Sequence, residues 1–237
     1  MDIVLSGIRP TGQLHLGNYF GALRNFVRMQ HDAKCYFFIA DYHALTTHDD
    51  PTRLHENVRT VLAEYLAAGI DPDVATVYVQ SDVPQVTELS LLLGMHAYVG
   101  ELERTASFKD KVRKNPSNVN AGLLTYPVLM AADILLHRAT HVPVGKDQLP
   151  HIEQTRQIAR RFNERYGHVF PEPEGLLTDA VLIPGLDGRK MSKSYGNAIS
   201  LAATAEETAK LIKKSQTDSE RFITFDPDNR PGVSALI

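Results

Sequence analysis

Three groups of residues in this chain have types and spacings that can do chemistry. The first is Ser6 to Ala22, SGIRPTGQLHLGNYFGA, where glycines stand between an apolar run and a segment carrying Tyr19, Phe20, Leu23, Phe26 and Val27. A strand-loop-helix with glycines at its mouth lets backbone N–H groups and the helix dipole hold phosphate. Gly7 and Gly12 have the spacing of a P-loop, but Gln13-Leu14 stands where Lys-Ser/Thr is required, and the Gly-x-Gly-x-x-Gly dinucleotide pattern is absent. What remains is Pro10-Thr11-Gly12 followed by His15-Leu16-Gly17-Asn18. His15 and Asn18 could both face a nucleotide; the alternative is a partly exposed helix-start histidine beside glycines that only make turns.

The second group is Lys190-Met191-Ser192-Lys193-Ser194, preceded by Pro184-Gly185-Leu186-Asp187-Gly188-Arg189. Two lysines flanking Met-Ser in a loop supply mobile cations for a charged leaving group, and the serines add donors. Alone, such a loop is equally a solvated surface. The third is Asp133, a carboxylate in the apolar stretch Leu123 to Leu136. Burial there costs several kcal/mol, roughly, unless the group is paired or hydrogen-bonded. Asp133 is therefore either a structural acceptor for backbone amides or an arginine, or an acceptor for a ligand.

These residues need a scaffold. Short apolar runs alternate with longer helical-period segments, which predicts βαβ units and a mostly parallel, buried sheet. The expected strands are Ile3 to Ser6, Tyr36 to Ala40, Thr76 to Gln80 and His141 to Val144. Asp50 as N-cap and Pro51 at the first helical position predict a two-sided crossover helix on Leu54, Val58, Val61, Leu62, Tyr65 and Leu66, stopped by Gly69. Ile152, Ile158, Ala159, Phe162 and Tyr166 predict another, with Arg156, Arg160, Arg161 and Arg165 on other faces and Gly167 at its end. The stretch from about 82 to 137 breaks the alternation and reads as a helical insertion. After a loop-rich region around Pro171 to Gly188, Glu206 to Gln216 resumes a helical pattern.

Composition narrows the class. With 25 basic and 28 acidic residues the formal charge is −3, so attraction to nucleic acid needs a local patch. No apolar run approaches the roughly 20 residues that span a bilayer, and the N-terminus reads as a short strand rather than a cleavable signal, so a cytoplasmic protein is expected, with no membrane partner. The single cysteine, Cys35, excludes an internal disulfide framework and a thiolate metal cluster. Its flank reads as an inert buried strand.

The turn at His15 to Asn18 and the loop at Lys190 to Ser194, on one α/β chain, resemble the HIGH and KMSKS signatures of class I aminoacyl-tRNA synthetases. With Gly100 to Arg104, Phe108 to Lys111, Tyr126 to Leu135 and Val142 to Gln148, the chain is similar along essentially its whole length to the bacterial tryptophanyl-tRNA synthetases. The resemblance implies a Rossmann-like parallel sheet over residues 1–200 with the insertion at about 82–137, and the start of a helical C-terminal, anticodon-reading domain at 201–237. The chain is expected to stop near that start, to activate tryptophan and to charge tRNA poorly. The implied reaction joins L-tryptophan to ATP, with Mg²⁺, giving tryptophanyl-AMP and pyrophosphate, then transfers tryptophan to tRNA(Trp). A homodimer is implied, with the helices between about Glu88 and Gly100 as interface.

By motif, the resemblance implies that Arg9, Pro10, Thr11, Gly17 and Asn18 line the ATP site, that Gly145, Lys146 and Asp147 hold the ribose, and that Val181 lies near the adenine. Met191, Ser192 and Ser194 belong to the same loop site. His15, Asn18, Lys111, Lys190 and Lys193 carry the catalytic roles, with no protein-held metal. Asp133 accepts the indole N–H, Tyr126 and Gln148 take the substrate ammonium, and Leu5, His43, Met130, Val142 and Val144 wall the indole; for those apolar residues core packing is an equal reading. The chain departs from the commonest pattern at Leu5 (phenylalanine frequent), Arg9 (glutamine), His15 (threonine) and Lys146 (glutamate). Lys109, Lys111, Arg113, Lys114 and the Arg156 to Arg165 stripe are candidate tRNA contacts or plain solvated surface. Two other readings stand beside this one: a tyrosine-specific relative, and a synthetase-like binding protein that does not charge tRNA.

Overall fold

A computed structural model describes residues 2–47, 50–177 and 183–237. In chain order the strands are β1 (Ile3–Ile8), β2 (Lys34–Ile39), β3 (Thr76–Val79), β4 (His141–Val144) and β5 (Glu174–Leu177). The α-helices are α1 (Leu16–Asn18), α2 (Arg24–Met29), α3 (Asp41–Ala44), α4 (Pro51–Ala67), α5 (Gln85–Gly94), α6 (Val99–Arg104), α7 (Ala106–Lys114), α8 (Ala121–Leu136), α9 (Leu149–Tyr166), α10 (Ala205–Ile212) and α11 (Pro231–Ser234). A π-helical stretch, Tyr19–Leu23, joins α1 to α2. The sheet order is β3-β2-β1-β4-β5, with every pairing parallel. The expected α/β fold with a parallel sheet is therefore the observed one.

Alternation along β1 and β2 divides the core. Val4, Cys35, Phe37 and Ile39 pack with Phe26, Val61 and Tyr65 on one face, and Leu5 and Phe38 pack with Ile134, Val142 and Ile152 on the other. Successive strand side chains point to opposite faces, so a sheet covered on both sides needs unbroken apolar runs. Cys35 is buried, and burial, with Asp32 second, pushes its thiol up to about 11, the inert state expected of it.

Asp50 caps α4 by accepting the Thr52 N–H at 3.0 Å, as its position before Pro51 predicts. The two-sided reading of this helix needs correction. Val61 and Tyr65 are fully buried, but Leu62 and Leu66 are exposed, because α4 lies on the outside of the sheet with solvent behind it. Four strand ends also differ: β1 runs on to Ile8, β2 spans Lys34–Ile39 instead of Tyr36 to Ala40, and Gln80 opens a 3-10 turn instead of ending β3. The strand β5 was not anticipated. It lies between prolines and offers only Leu176 and Leu177 as apolar side chains.

Helices α5 to α8 occupy the segment between β3 and β4, and α8 packs against both α5 and α9. Asn120 caps α8 through the Leu123 N–H at 2.9 Å. Pro127 removes one ladder donor within the helix. Buried side chains line α8 on all sides of its second half, from Ala131 to Leu135, and Asp133 is among them. Among the described residues, no helix is long and apolar enough to cross a membrane.

Candidate active site

A cavity of about 490 Å³ opens at the carboxyl ends of β1 and β4, the place where parallel α/β sheets receive ligands. Its apolar wall includes Leu5, Met130, Val142 and Val144, and its polar groups include His43, Tyr126, Asp133 and Gln148. All eight residues expected to hold the amino acid thus meet in one space. Gly7 borders it, and a Cβ there would lie 2.6 Å from the Phe38 ring, so the close packing of β1 on β2 at the cavity requires glycine.

Asp133 is 1% exposed and is already held by the protein. Its Oδ1 accepts from Gln80 Nε2 at 2.8 Å, and its Oδ2 accepts from the same nitrogen at 3.0 Å and meets His43 Nε2 at 2.9 Å. A carboxylate offers about four acceptor sites, so this arrangement leaves capacity for one more donor from the cavity. Among the described residues the fully buried Gln80 finds no partner for its Oε1, while its Nε2 is turned toward the acid. Gln80 is a site residue that the sequence reading passed over as a strand end. Its place at the carboxyl end of a parallel strand was the available signal.

Tyr126 is fixed from two sides. Its hydroxyl donates to Ser107 Oγ at 2.9 Å and lies 2.9 Å from His151 Nε2. Burial raises the phenol's pKa, and burial with Lys111 nearby lowers that of the His151 imidazole. His151 was also missed, although it shares a buried helical face with Thr155 and Ile158 at i, i+4 and i+7. Gln148 stands in the cavity wall but donates to Asp147 Oδ2 at 2.9 Å.

Five of the residues expected at the nucleotide line two separate cavities, and the other described ones line neither. Arg9, Lys111 and Gly145 border the cavity at the strand ends. Lys111 Nζ sits 3.5 Å from the centroid of the Tyr126 ring, a cation–π contact. Burial, with Arg9 second, pushes its ammonium down to about 8. Lys146 and Asp147 form an exposed 3-10 turn after β4. Val181 lies outside the described residues.

His15 and Lys193 instead border a second cavity of about 530 Å³, together with Gly12 and Arg53. His15 is the N-cap of α1. Its N–H donates to Asn18 Oδ1 at 3.0 Å, so the Asn18 amide closes the turn. Burial first, and Lys193 second, lower the His15 pKa. Gly17 is confined by the His15 ring, 2.9 Å from where a Cβ would stand. Pro10 is buried, while the exposed Thr11 offers its carbonyl to Lys193 Nζ at 3.3 Å.

The turn and the lysine loop are physically joined. Leu16 N–H donates to Ile199 O at 3.0 Å and Leu201 N–H to Leu14 O at 2.9 Å, a short antiparallel bridge just downstream of the loop. Beneath it, the buried Glu64 accepts the Leu14 N–H on both carboxylate oxygens at 3.0 Å. Burial raises the Glu64 pKa, while the Leu14 bond and Lys193 pull it back. Within the loop Met191 is buried, Lys190 and Lys193 are exposed, and Ser192 Oγ lies 2.8 Å from Ser194 Oγ.

Three of the four α9 arginines are committed to acids, and Arg165 lies 5.8 Å from the centroid of the Tyr166 ring. Arg156 and Arg160 pair with Glu153 and Glu172, and Arg161 grips Glu101 through two bonds. Arg113 pairs with Asp110 at 2.7 Å. These contacts favour the structural reading of that basic stripe.

An apolar cavity holding a buried carboxylate lies at the carboxyl edge of the parallel sheet, and a lysine loop is bridged to the first turn of the chain. The family of class I tRNA synthetases for W and Y matches residues 2–237, and the chain belongs to it. Within that family, the chain is 62% identical over 223 residues to a tryptophan–tRNA ligase of Porphyromonas gingivalis, covering 92% of this chain and 68% of that protein. It is 50% identical to a tryptophan–tRNA ligase of Thermotoga maritima, covering 95% of this chain and 70% of that one. The crystal structure of tryptophanyl-tRNA synthetase from Campylobacter jejuni complexed with ADP and tryptophan matches with a TM-score of 0.90 and 42% identity, over 99% of this chain and 74% of that one. A tyrosyl-tRNA synthetase of Archaeoglobus fulgidus, at 23% identity and a TM-score of 0.76, shares the fold.

Proposed function

We infer that this chain is a tryptophan–tRNA ligase: it activates L-tryptophan with ATP to tryptophanyl-AMP and pyrophosphate, and passes the acyl group to tRNA(Trp). The observation that carries the specificity is Asp133. Indole N–H can only donate, and a buried carboxylate with one acceptor site left over faces an apolar cavity of suitable size. The relatives named above as tryptophan–tRNA ligases support the same choice.

In this reading Leu5, Met130, Val142 and Val144 enclose the indole, while His43 and Gln80 fix the carboxylate that reads it. Tyr126, held by Ser107 and His151, and Gln148 receive the ammonium. The substrate carboxylate then attacks the α-phosphate in line, and no covalent enzyme nucleophile is needed. The protein's contribution is to position two anions and to stabilise charge on the departing pyrophosphate. His15 and the α1 start face the phosphates from one side; Lys111, Lys190 and Lys193 supply the cations. Gly145, Lys146 and Asp147 are the proposed ribose site. Among the described residues no three His, Cys, Asp or Glu side chains stand together to hold a metal ion. Mg²⁺ arriving with ATP would supply further positive charge at the phosphates, beside Lys111, Lys190 and Lys193.

Residues 1–200 form the proposed catalytic unit and 201–237 the start of the helical C-terminal region, opened by α10 with its Thr204–Glu207 capping box. A homodimer is proposed through α5 and the segment after it, where Leu91, Leu92, Met95, Tyr98 and Val99 are each more than half exposed. The cytoplasm is the proposed location. Amino-acid-dependent ATP–pyrophosphate exchange across a panel of amino acids tests the reading. Tryptophan should be the amino acid that drives exchange. Exchange driven by tyrosine would support the tyrosine-specific alternative, and no exchange with any amino acid would support a binding protein.

A further inference from the structure

The lysine loop is exposed, yet one buried side chain holds both of its arms. Asn197 is 2% exposed. Its Oδ1 accepts the Ser192 N–H at 2.8 Å, and its Nδ2 donates to Asp187 Oδ1 at 2.6 Å and to Lys190 O at 3.2 Å. Its own carbonyl accepts the Leu186 N–H at 2.9 Å. Gly185 packs so closely that a Cβ there would collide with the Asn197 amide. Every side-chain bond of Asn197 thus lands between positions 187 and 192, on either side of Met191. The exposed Gly196, at φ +64°, makes the turn that brings Asn197 back under the loop.

We propose that Asn197 is a positioning residue for adenylate formation, setting where Lys190 and Lys193 stand by tying the Asp187, Lys190 and Ser192 backbone and side-chain groups to one buried amide. It touches no substrate and acts through the loop. The chemistry of the amide is essential to the idea: one end must accept an N–H and the other must donate to a carboxylate and a carbonyl. Alanine removes all three bonds. Aspartate keeps the acceptor but sets a second carboxylate oxygen against Asp187 Oδ1. Arg189 holds Asp187 through its side chain on Oδ2 and its backbone N–H on Oδ1, but neither bond replaces the donor that Asn197 Nδ2 supplies.

The proposal rests on the tryptophan-activating reading for its rate consequence but not for its structural one, so two measurements are paired. Hydrogen exchange of peptides covering residues 184–197 should show lost protection in Asn197→Ala and Asn197→Asp, and recovery in the double variant Asp187→Asn/Asn197→Asp, where donor and acceptor are interchanged. Single-turnover tryptophanyl-adenylate formation should fall by ~10- to 100-fold in both single variants, the scale of a misplaced catalytic group. It should recover in the double variant in part, to within about tenfold, because the Lys190 carbonyl and the Arg189 N–H, which Asp187 Oδ1 accepts at 3.1 Å, both lose their partner in the exchange. Tryptophan affinity, read from substrate fluorescence, should stay unchanged. Unaltered loop protection, a matching loss of tryptophan affinity, or no recovery in the double variant would each overturn it. If the unmodified protein forms no adenylate, the tryptophan-activating reading fails, and the exchange data still decide the role of Asn197.

Discussion

Replacing Asp133 tests the specificity argument most directly, and the network around it sets the size of the effect. In Asp133→Ala, the indole N–H loses a charged acceptor, a bond of about 1.5–3 kcal/mol, which corresponds to roughly 10- to 150-fold in kcat/KM. The same change strands Gln80 Nε2, which is fully buried, and His43 Nε2, whose side chain is 12% exposed. Each stranded donor costs about 1–3 kcal/mol, so the alanine variant should also lose stability. The two protein donors thus couple the loss of activity to a loss of stability. Asp133→Asn separates the two. The unpartnered Gln80 Oε1 can turn toward the new amide, so unfolding should shift little. Exchange of a charged for a neutral acceptor should still lower tryptophan kcat/KM by about 5- to 15-fold. Phenylalanine, which offers no N–H, should gain or hold its activity in both variants, so the tryptophan-to-phenylalanine ratio falls. The assay is pyrophosphate exchange with each amino acid, beside thermal unfolding of each variant. A ratio that stays within about twofold of the parent in Asp133→Ala would refute the assigned role, because one lost bond of this kind is worth more.

Other outcomes follow from the loop, the cavity cation and the exposed helix. Lys193→Ala should slow adenylate formation by about 30- to 1000-fold, the range for one preorganised charge-stabilising group; an unchanged single-turnover rate would remove Lys193 from the mechanism. Lys111 titrates near about 8 when folded, below its unfolded value of roughly 10.4. Between those values the unfolded chain binds the extra proton, so this group makes stability rise with pH across that window. Its charge is meanwhile lost as pH rises through about 8, so KM for ATP should climb there. Lys111→Gln should flatten that step, and the same slope in the variant would exclude Lys111 as its source. Leu91→Lys combined with Met95→Lys should turn a dimer into a monomer in sedimentation, since both side chains are more than half exposed on the proposed interface; a dimer that survives the pair places the interface elsewhere.

The legible parts of this protein were those with strong local signals. Strand β4 is read to its ends because Gly145 and the preceding polar turn bracket a short apolar run, and α4 because Asp50 and Pro51 mark its start. The amino-acid pocket was legible through motif resemblance, and all eight expected residues converge on the same cavity. What escaped was support. Gln80, Ser107, His151 and Asn197 act through bonds to residues 5 to 53 positions away, and no periodicity or spacing encodes such pairs. The rest of the disagreement is geometric. Asn18 satisfies its own turn, and Lys111 rests on an aromatic ring, because in a folded chain polar groups find nearby partners.

The antiparallel bridge between Leu14–Leu16 and Ile199–Leu201 has a mechanical meaning. It fixes the downstream end of the lysine loop to the same turn that bears His15, so the two part only if both backbone bonds break. A swing of Lys193 would turn about that tie as its pivot, which stays beside His15. Reach is then set by the number of residues between lysine and pivot. Adding one glycine between Ala198 and Ile199 would lengthen the arm without touching a charge, and would uncouple how strongly the lysine attracts from where it arrives.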